Sequence, residues 1–304
     1  MADSESRLIN AFVSGLPHLE PPEGPGDDCA WLPAKHGGFW VKTDAVFDKV
    51  HFTCPPFSLE DVGHKALAVN LSDLAAAGAT PRFWLCALGI PIGFTVANAR
   101  ALARGMRPLA EQHGLMLTGG NVSRASELSI TLQLLGDGGG LTRHGAKPGD
   151  ALLVSGTLGA AAAGLLYWQS LLDRSRLTRQ LRPEPRLELG RLALGKAHAA
   201  MDVSDGLLLD TSRMCEASKC GADIESAAVP LAEELQGLSE REALATAMTG
   251  GEDYELLLAV PEKHVDALAK KSPVPLTRIG TFSRRKGVRV DGKTVRGAGG
   301  YTHL

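Results

Sequence analysis

The stretch AAMDVSDGLLLDTSRM, residues 199–214, places Asp202, Asp205 and Asp210 in a run otherwise rich in Ala, Met, Val and Leu. A carboxylate avoids apolar surroundings unless something offsets its desolvation. Any fold of this chain must therefore bring compensating groups to these aspartates. Four further stretches repeat the pattern. GPGDDCAWL sets Asp27 and Asp28 after a Gly-Pro-Gly turn, and WVKTDAVFDKVHF sets Asp44 at the end of an apolar run with His51 beyond it. NLSDLAAAGA carries Asp73 three residues after Asn70, on roughly the same face of an apolar helix, and TGGEDYELLLAVP sets Glu252 and Asp253 after paired glycines.

If several of these carboxylates converge, they repel. Two unit charges 4 Å apart cost about 4 kcal/mol at an effective dielectric near 20. Such a cluster stays ionised only beside cations. Hard oxygen donors without a nearby Cys/His set suit Mg²⁺, which is typical of sites that handle nucleotide phosphates. Asp202 and Asp205 are thus candidate metal ligands. Asp210, five residues past Asp205, points to another helix face and reads as structural support.

Composition excludes other classes. Hydrophobic residues make up 44 % and charged residues 22 %, enough for a packed core, and 32 basic against 34 acidic residues give a net charge of −2. No excess charge advertises a nucleic-acid or membrane-surface partner. The 5 cysteines form no C-x-x-C, which disfavours zinc and disulfide frameworks and suits a reducing cytoplasm. The N-terminal MADSESRLIN lacks the character of a signal peptide. The charge-free run 151–172 is interrupted at Ser155-Gly156-Thr157 and Gly159, so it reads as a strand, a turn and a helix rather than a membrane span. The other histidines have no ligand spacing.

The spacing predicts strands at 39–44, 81–90, near 115–118 and at 127–136, with helices over 58–79 and 95–113. Ser58 and Asp61 form a candidate capping box, and Gly78 a helix stop. GDGGGLTRHGAKPGD, 136–150, marks turns and a domain boundary. Beyond it come a strand at 151–155, a helix at 158–172, a helix after RPEPR, a strand near 199–203, a helix from about 206, a strand at 254–261 and a helix at 262–271. A hairpin turns at Asp291-Gly292. Strands and helices mix in both halves, which favours two α/β or α+β domains. No Walker A, kinase catalytic-loop or G-x-S-x-G sequence occurs. TGGNVS, 118–123, and SGTLGAAAAG, 155–164, are candidate turns that present backbone N–H groups to phosphate.

At these residues the chain resembles the thiamine-monophosphate kinase family, within the ATP-binding superfamily that includes aminoimidazole ribonucleotide synthetase. The resemblance runs nearly end to end through GDDCA, KTDAVFDKVHF, KALAVNLSDLAAAGATP, TGGN, RHGAKPGD, VSGTLGAAAAGL, RPEPR, MDVSDGLLLD, GGEDYELLLAVP and GGYTHL. It implies an aminoimidazole ribonucleotide synthetase-like fold. An N-terminal α/β domain (1–140) would pair its sheet across a homodimer, with a C-terminal α+β domain (141–304) beside it. The implied reaction is direct, in-line, Mg²⁺-dependent transfer of the γ-phosphoryl group of ATP to thiamine monophosphate, giving thiamine diphosphate, in the cytoplasm. Position by position, the resemblance implies metal contacts at Asp28, Thr43, Asp44, Asp73, Asp202 and Asp205. It implies ATP contacts at Gly120, Asn121, Arg143 and Ser204, and substrate contacts at His51, Glu252 and Tyr301. Alternatives are a paralogue acting on another small phosphorylated or heterocyclic molecule, and a nucleotide-binding protein that has lost turnover.

Three departures from the family pattern stand out. Asn121 replaces an aspartate, Lys42 replaces a small hydroxyl residue before Thr43-Asp44, and FDKVHF lacks the usual acidic residue and glycine before Val-His-Phe. The first two change the local charge by the amount of one magnesium ion, so Lys42 and Asn121 together are candidates to replace one metal. Strand alternation puts Lys42 and Asp44 on one face.

Overall fold

The computed structural model describes residues 27–34, 37–171, 174–295 and 300. Five strands form an N-terminal sheet: β1 (Ala30–Ala34), β2 (Gly37–Phe47), β3 (Ala79–Ile90), β4 (Met116–Arg124) and β5 (Ser129–Gly138). Their spatial order is β1-β2-β5-β3-β4. Helix α1 (Leu59–Ala76) joins β2 to β3, and α2 (Val96–Gln112) makes the crossover between parallel β3 and β4. Ser58 and Asp61 close the capping box of α1, and Gly78, at φ 66°, ends it as the sequence anticipates. Thr95 and Asn98 cap α2 in the same way.

Seven strands form the C-terminal sheet: β6 (Ala151–Ser155), β7 (Ala199–Asp202), β8 (Gly221–Ile224), β9 (Leu256–Val260), β10 (Leu276–Ser283), β11 (Gly287–Val290) and β12 (Lys293–Thr294). The order is β12-β11-β8-β10-β6-β9-β7. The same half carries helices α3 (Ala160–Leu171), α4 (Leu187–Ala193), α5 (Leu207–Ser218), α6 (Glu240–Thr249) and α7 (Glu262–Lys271), of which α4 packs against α1 and β3. The β11–β12 hairpin turns at Asp291 and Gly292, both left-handed, as a tight hairpin requires. The run 151–171 is a buried strand, a turn and a helix, and no helix among the described residues is long and apolar enough to cross a membrane.

Two hydrophobic cores meet at the C-terminal sheet. Leu153, Leu256 and Leu258 join a core shared with α1 and with Ile130, Leu132 and Leu134 of β5. Their neighbours Leu152, Val154, Leu257 and Ala259 face the second core. Both faces of β6 and β9 are therefore covered, which is why ALLVS and LLLAV read as unbroken apolar runs. Helix α1 is buried on nearly all sides, so it lacks the polar stripe of a surface helix.

Close helix contacts fix α1. A Cβ on Gly63 would lie 2.2 Å from the carbonyl oxygen of Leu102, and one on Gly105 would lie 1.9 Å from that of Glu60. Backbone cannot retreat as a side chain does. Gly105→Ala is expected to destabilise the chain by about 1–3 kcal/mol, seen as a lower urea midpoint with an unchanged slope.

Candidate active site

A cavity of about 1100 Å³ opens where the two sheets and α1 meet, and its walls include Asp28, Lys42, Asp44, Asp73, Arg143 and Asp202. Each arrives on a different local logic. Asp28 precedes β1, Asp73 projects from the last turns of α1, and Asp202 ends β7. Alternation along β2 turns Lys42 and Asp44 to the cavity and Thr43 away from it.

Carboxylate oxygens of Asp28, Asp73 and Asp202 all lie within 4.8 Å of one another. The Lys42 ammonium is 3.1 Å from Asp73 Oδ2 and 3.9 Å from Asp44 Oδ2. Arg143 donates to Asp28 Oδ1, and the Ser72 hydroxyl donates to Asp202 Oδ2 at 2.6 Å. Asp28 Oδ2 is buried without a hydrogen-bond partner among the described residues. This all-oxygen donor set, with one carboxylate oxygen still open, fits a hard divalent cation.

Burial dominates the electrostatics here. Burial, reinforced by the charge of Asp28, pushes Asp202 up to about 7, against the Ser72 hydrogen bond. Burial also holds Asp73 well above the ordinary carboxylate range, although Lys42 opposes it. Neighbouring Asp27 is pushed up to about 6 by burial and by Asp28. Burial works against the Lys42 charge too, but Asp73 and Asp44 outweigh it and hold the ammonium above its ordinary value.

MDVSDG and GGEDYE lie side by side: Glu252 N–H donates to the Ser204 carbonyl at 2.7 Å, and Tyr254 N–H to that of Val203 at 2.9 Å. Ser204 and Asp205 line the cavity, and Asp205 is paired with Arg213. Asp210 is not one of the three clustered carboxylates. Its Oδ2 accepts from the N–H groups of Ser204, Asp205 and Gly206 at 3.0–3.1 Å, and so fixes the turn that aims Asp205. Glu252 holds a left-handed backbone, φ 68°. Its carboxylate meets Lys65 Nζ at 2.6 Å and accepts from Gln180. Lys65 also donates to the His51 carbonyl at 3.0 Å, so one buried ammonium ties two cavity residues together.

Other candidate residues lie outside this cluster. Thr43 points to the opposite face of β2, where its hydroxyl donates to the Leu132 carbonyl at 3.0 Å. TGGNVS is no turn: it lies within β4, the exposed edge of the N-terminal sheet. Gly120 and Asn121 lie on that strand, outside the cavity of the same chain. Asn121 and Lys42 are separated by β5 and β3, roughly 14 Å at the usual strand spacing, so within one chain they cannot act on the same metal position. In SGTLGAAAAG two N–H groups at the start of α3 are taken by Asp253, which accepts from Gly159 at 2.7 Å and Ala161 at 3.3 Å. Tyr301 lies outside the described residues, although Gly300 lines the cavity.

Comparison with known proteins decides the family. The model for the AIR synthase related protein N-terminal domain matches residues 26–137, and that for the C-terminal domain matches 147–293. The thiamine-monophosphate kinase of Haemophilus influenzae is 38% identical over 278 residues, 86% of this chain and 83% of that protein. That of Escherichia coli K12 is 40% identical over 301 residues, 93% of this chain and 91% of the relative. The solved structure of AaThiL complexed with AMPPCP and TMP superposes with a TM-score of 0.88 at 30% identity, covering 99% of this chain and 97% of that one. The chain belongs to the thiamine-monophosphate kinase family. The fold implied by the sequence, two AIR synthase-type domains of mixed α and β structure, is the one found.

For a member of this family, sequence reasoning passed over Lys65, Ser72 and Arg213. Two of them had a signal. Lys65 precedes Asp73 by eight residues, about 80° round the same apolar helix, and Arg213 follows Asp210 by three residues, nearly one helical turn.

Asp27, Asp73, Asp202 and Asp210 all have folded-state values raised from 3.8, two of them to about 7. The folded chain then holds extra protons between about pH 4 and 7, and these groups lose stability as pH rises through that window. A divalent ion bound to Asp73 and Asp202 in their ionised forms would remove their share of the loss. Adding Mg²⁺ is therefore expected to raise the melting temperature more at pH 8 than at pH 5. Equal increments at both would mean that ion and protons do not compete for these groups.

Proposed function

We propose that this chain transfers the γ-phosphoryl group of ATP directly to the phosphate of thiamine monophosphate, giving ADP and thiamine diphosphate, with Mg²⁺ held by Asp28, Asp73 and Asp202. The observation that carries this reading is the meeting of those three carboxylates, from both halves of the chain, with Arg143 and Lys42 in one cavity. The family likeness narrows the chemistry: relatives carry the name thiamine-monophosphate kinase, and a close structural relative holds AMPPCP and TMP.

Asp28, Asp73 and Asp202 would hold the ion, whose positive charge would offset the negative charge that builds during transfer. Arg143 supplies a planar fork for phosphate oxygens. Asp44, beside the Lys42 ammonium, and Asp205 extend the acidic wall, and Ser204, whose carbonyl accepts from the Glu252 N–H, would contact the nucleotide. Glu252 and His51 line the substrate side, where a carboxylate suits the cationic thiazolium ring. The acceptor is already an ionised phosphate, so no general base is needed.

We also infer a homodimer. The edge strand β4 leaves Met116, Leu117 and Val122 exposed beside an unpaired row of backbone groups, and a second copy is the natural cover. Pairing there is the route by which Gly120 and Asn121 would reach a nucleotide. The reading places the enzyme in the cytoplasm.

Release of ADP, and formation of thiamine diphosphate, should require ATP, thiamine monophosphate and Mg²⁺ together. Asp202→Asn is expected to lower kcat by about 10²–10³-fold, the range for removing one preorganised charge-stabilising group. Glu252→Gln should raise KM for thiamine monophosphate about ten- to hundredfold, as loss of a charged hydrogen-bonding partner does. Turnover only with other acceptors, or nucleotide binding without turnover, would overturn the assignment.

A further inference from the structure

We propose that the Lys42 ammonium permanently fills one cation position of the phosphate-binding cluster, so that each chain binds one divalent ion fewer than it would with an uncharged residue there. The inference rests on the metal-dependent nucleotide site proposed above, though not on the identity of the acceptor.

The geometry is that of a bridging cation. Nζ lies 3.1 Å from an oxygen of Asp73 on α1 and 3.9 Å from one of Asp44 on β2, so a single positive charge spans two carboxylates from separate elements. A metal ion shared between those carboxylates would lie in the same place. Charge counting agrees. When ionised, Asp28, Asp44, Asp73 and Asp202 bring four negative charges, against which Lys42 and Arg143 set two positive ones. The Lys42 ammonium therefore offsets one charge that a metal ion would otherwise have to offset. A divalent ion has a donor apart from the Lys42 contacts, because Asp28 Oδ2 is buried with no hydrogen-bond partner among the described residues. A second divalent ion between Asp44 and Asp73 would have to displace the ammonium or bear its repulsion at contact distance.

Two further facts keep Lys42 in place. Its neighbour Thr43 is bonded to the Leu132 carbonyl on the opposite face, which locks the pleat of β2. Asp73 rises from a helix buried on nearly all sides, so the carboxylate cannot swing away. Asn121 takes no part in this account, since it lies three strand steps away in the same sheet.

The test counts ions rather than turnover. Full-length protein saturated with AMPPCP, without acceptor, is titrated with Mn²⁺, and free Mn²⁺ is read by electron paramagnetic resonance. Lys42→Ser and Lys42→Met are each expected to bind one more Mn²⁺ per chain than the wild type, and Lys42→Arg the same number. Equal counts for the wild type and a folded uncharged variant would overturn the inference. Should neither uncharged variant fold, anomalous scattering from wild-type crystals grown with Mn²⁺ and AMPPCP decides instead. No manganese between Asp44 and Asp73 supports the inference; manganese there, with Lys42 turned away, ends it. Because no acceptor is present, failure to phosphorylate thiamine monophosphate would sink the functional assignment and leave the ion count standing.

Discussion

Asp28, Asp73 and Asp202 come from three distant segments, and their oxygens approach within 4.8 Å. In an effective dielectric near 20, two such charges at 4 Å oppose each other by about 4 kcal/mol. Around them the chain places Lys42, Arg143 and the Ser72 hydroxyl, and leaves one oxygen of Asp28 open. These partners do not fully satisfy the cluster, and burial still drives Asp202 and Asp73 toward their protonated forms. On the proposed reading such a site would take up cations, and a nucleotide's phosphates, which repel carboxylates, would enter in their company.

Helix α1 is the structural means of holding that cluster. It carries Lys65, Ser72 and Asp73, which reach Glu252, Asp202 and Lys42 in turn. A surface helix would let such side chains relax into water. Here close glycine contacts with α2 and cover from both sheets leave them nowhere else to go. The same rigidity supports the loop of Glu252, whose left-handed backbone is retained by the hydrogen bond to Ser204 and the ion pair to Lys65.

Local signals made much of this legible. The capping box at Ser58, the stop at Gly78, the Asp291-Gly292 hairpin and the unbroken apolar runs of β6 and β9 each encode their own structure over a few residues. Short or mixed elements escaped. β1 and β8 span too few residues to show a period, and β10 alternates irregularly because it carries a register shift near Gly280. In the site, the carboxylates were conspicuous because they sat in apolar sequence. The fate of TGGNVS was not, since glycines suit a turn and an edge strand equally well, and only pairing with β3 distinguishes them. Likewise Asp253 reaches the start of α3 across a long sequence separation that no local pattern reveals.

The shared core also bears on how such a chain is put together. Leu153, Leu256 and Leu258 from the second half pack with α1 and β5 from the first, so the seam between the sheets is interior rather than surface. Severing the backbone near the glycine-rich connection would not yield two self-sufficient pieces, because each would display a greasy wall shaped for the other. The halves must be inherited as a matched set, and recombination between distant relatives at that seam would scramble the acidic cluster together with the packing that presents it.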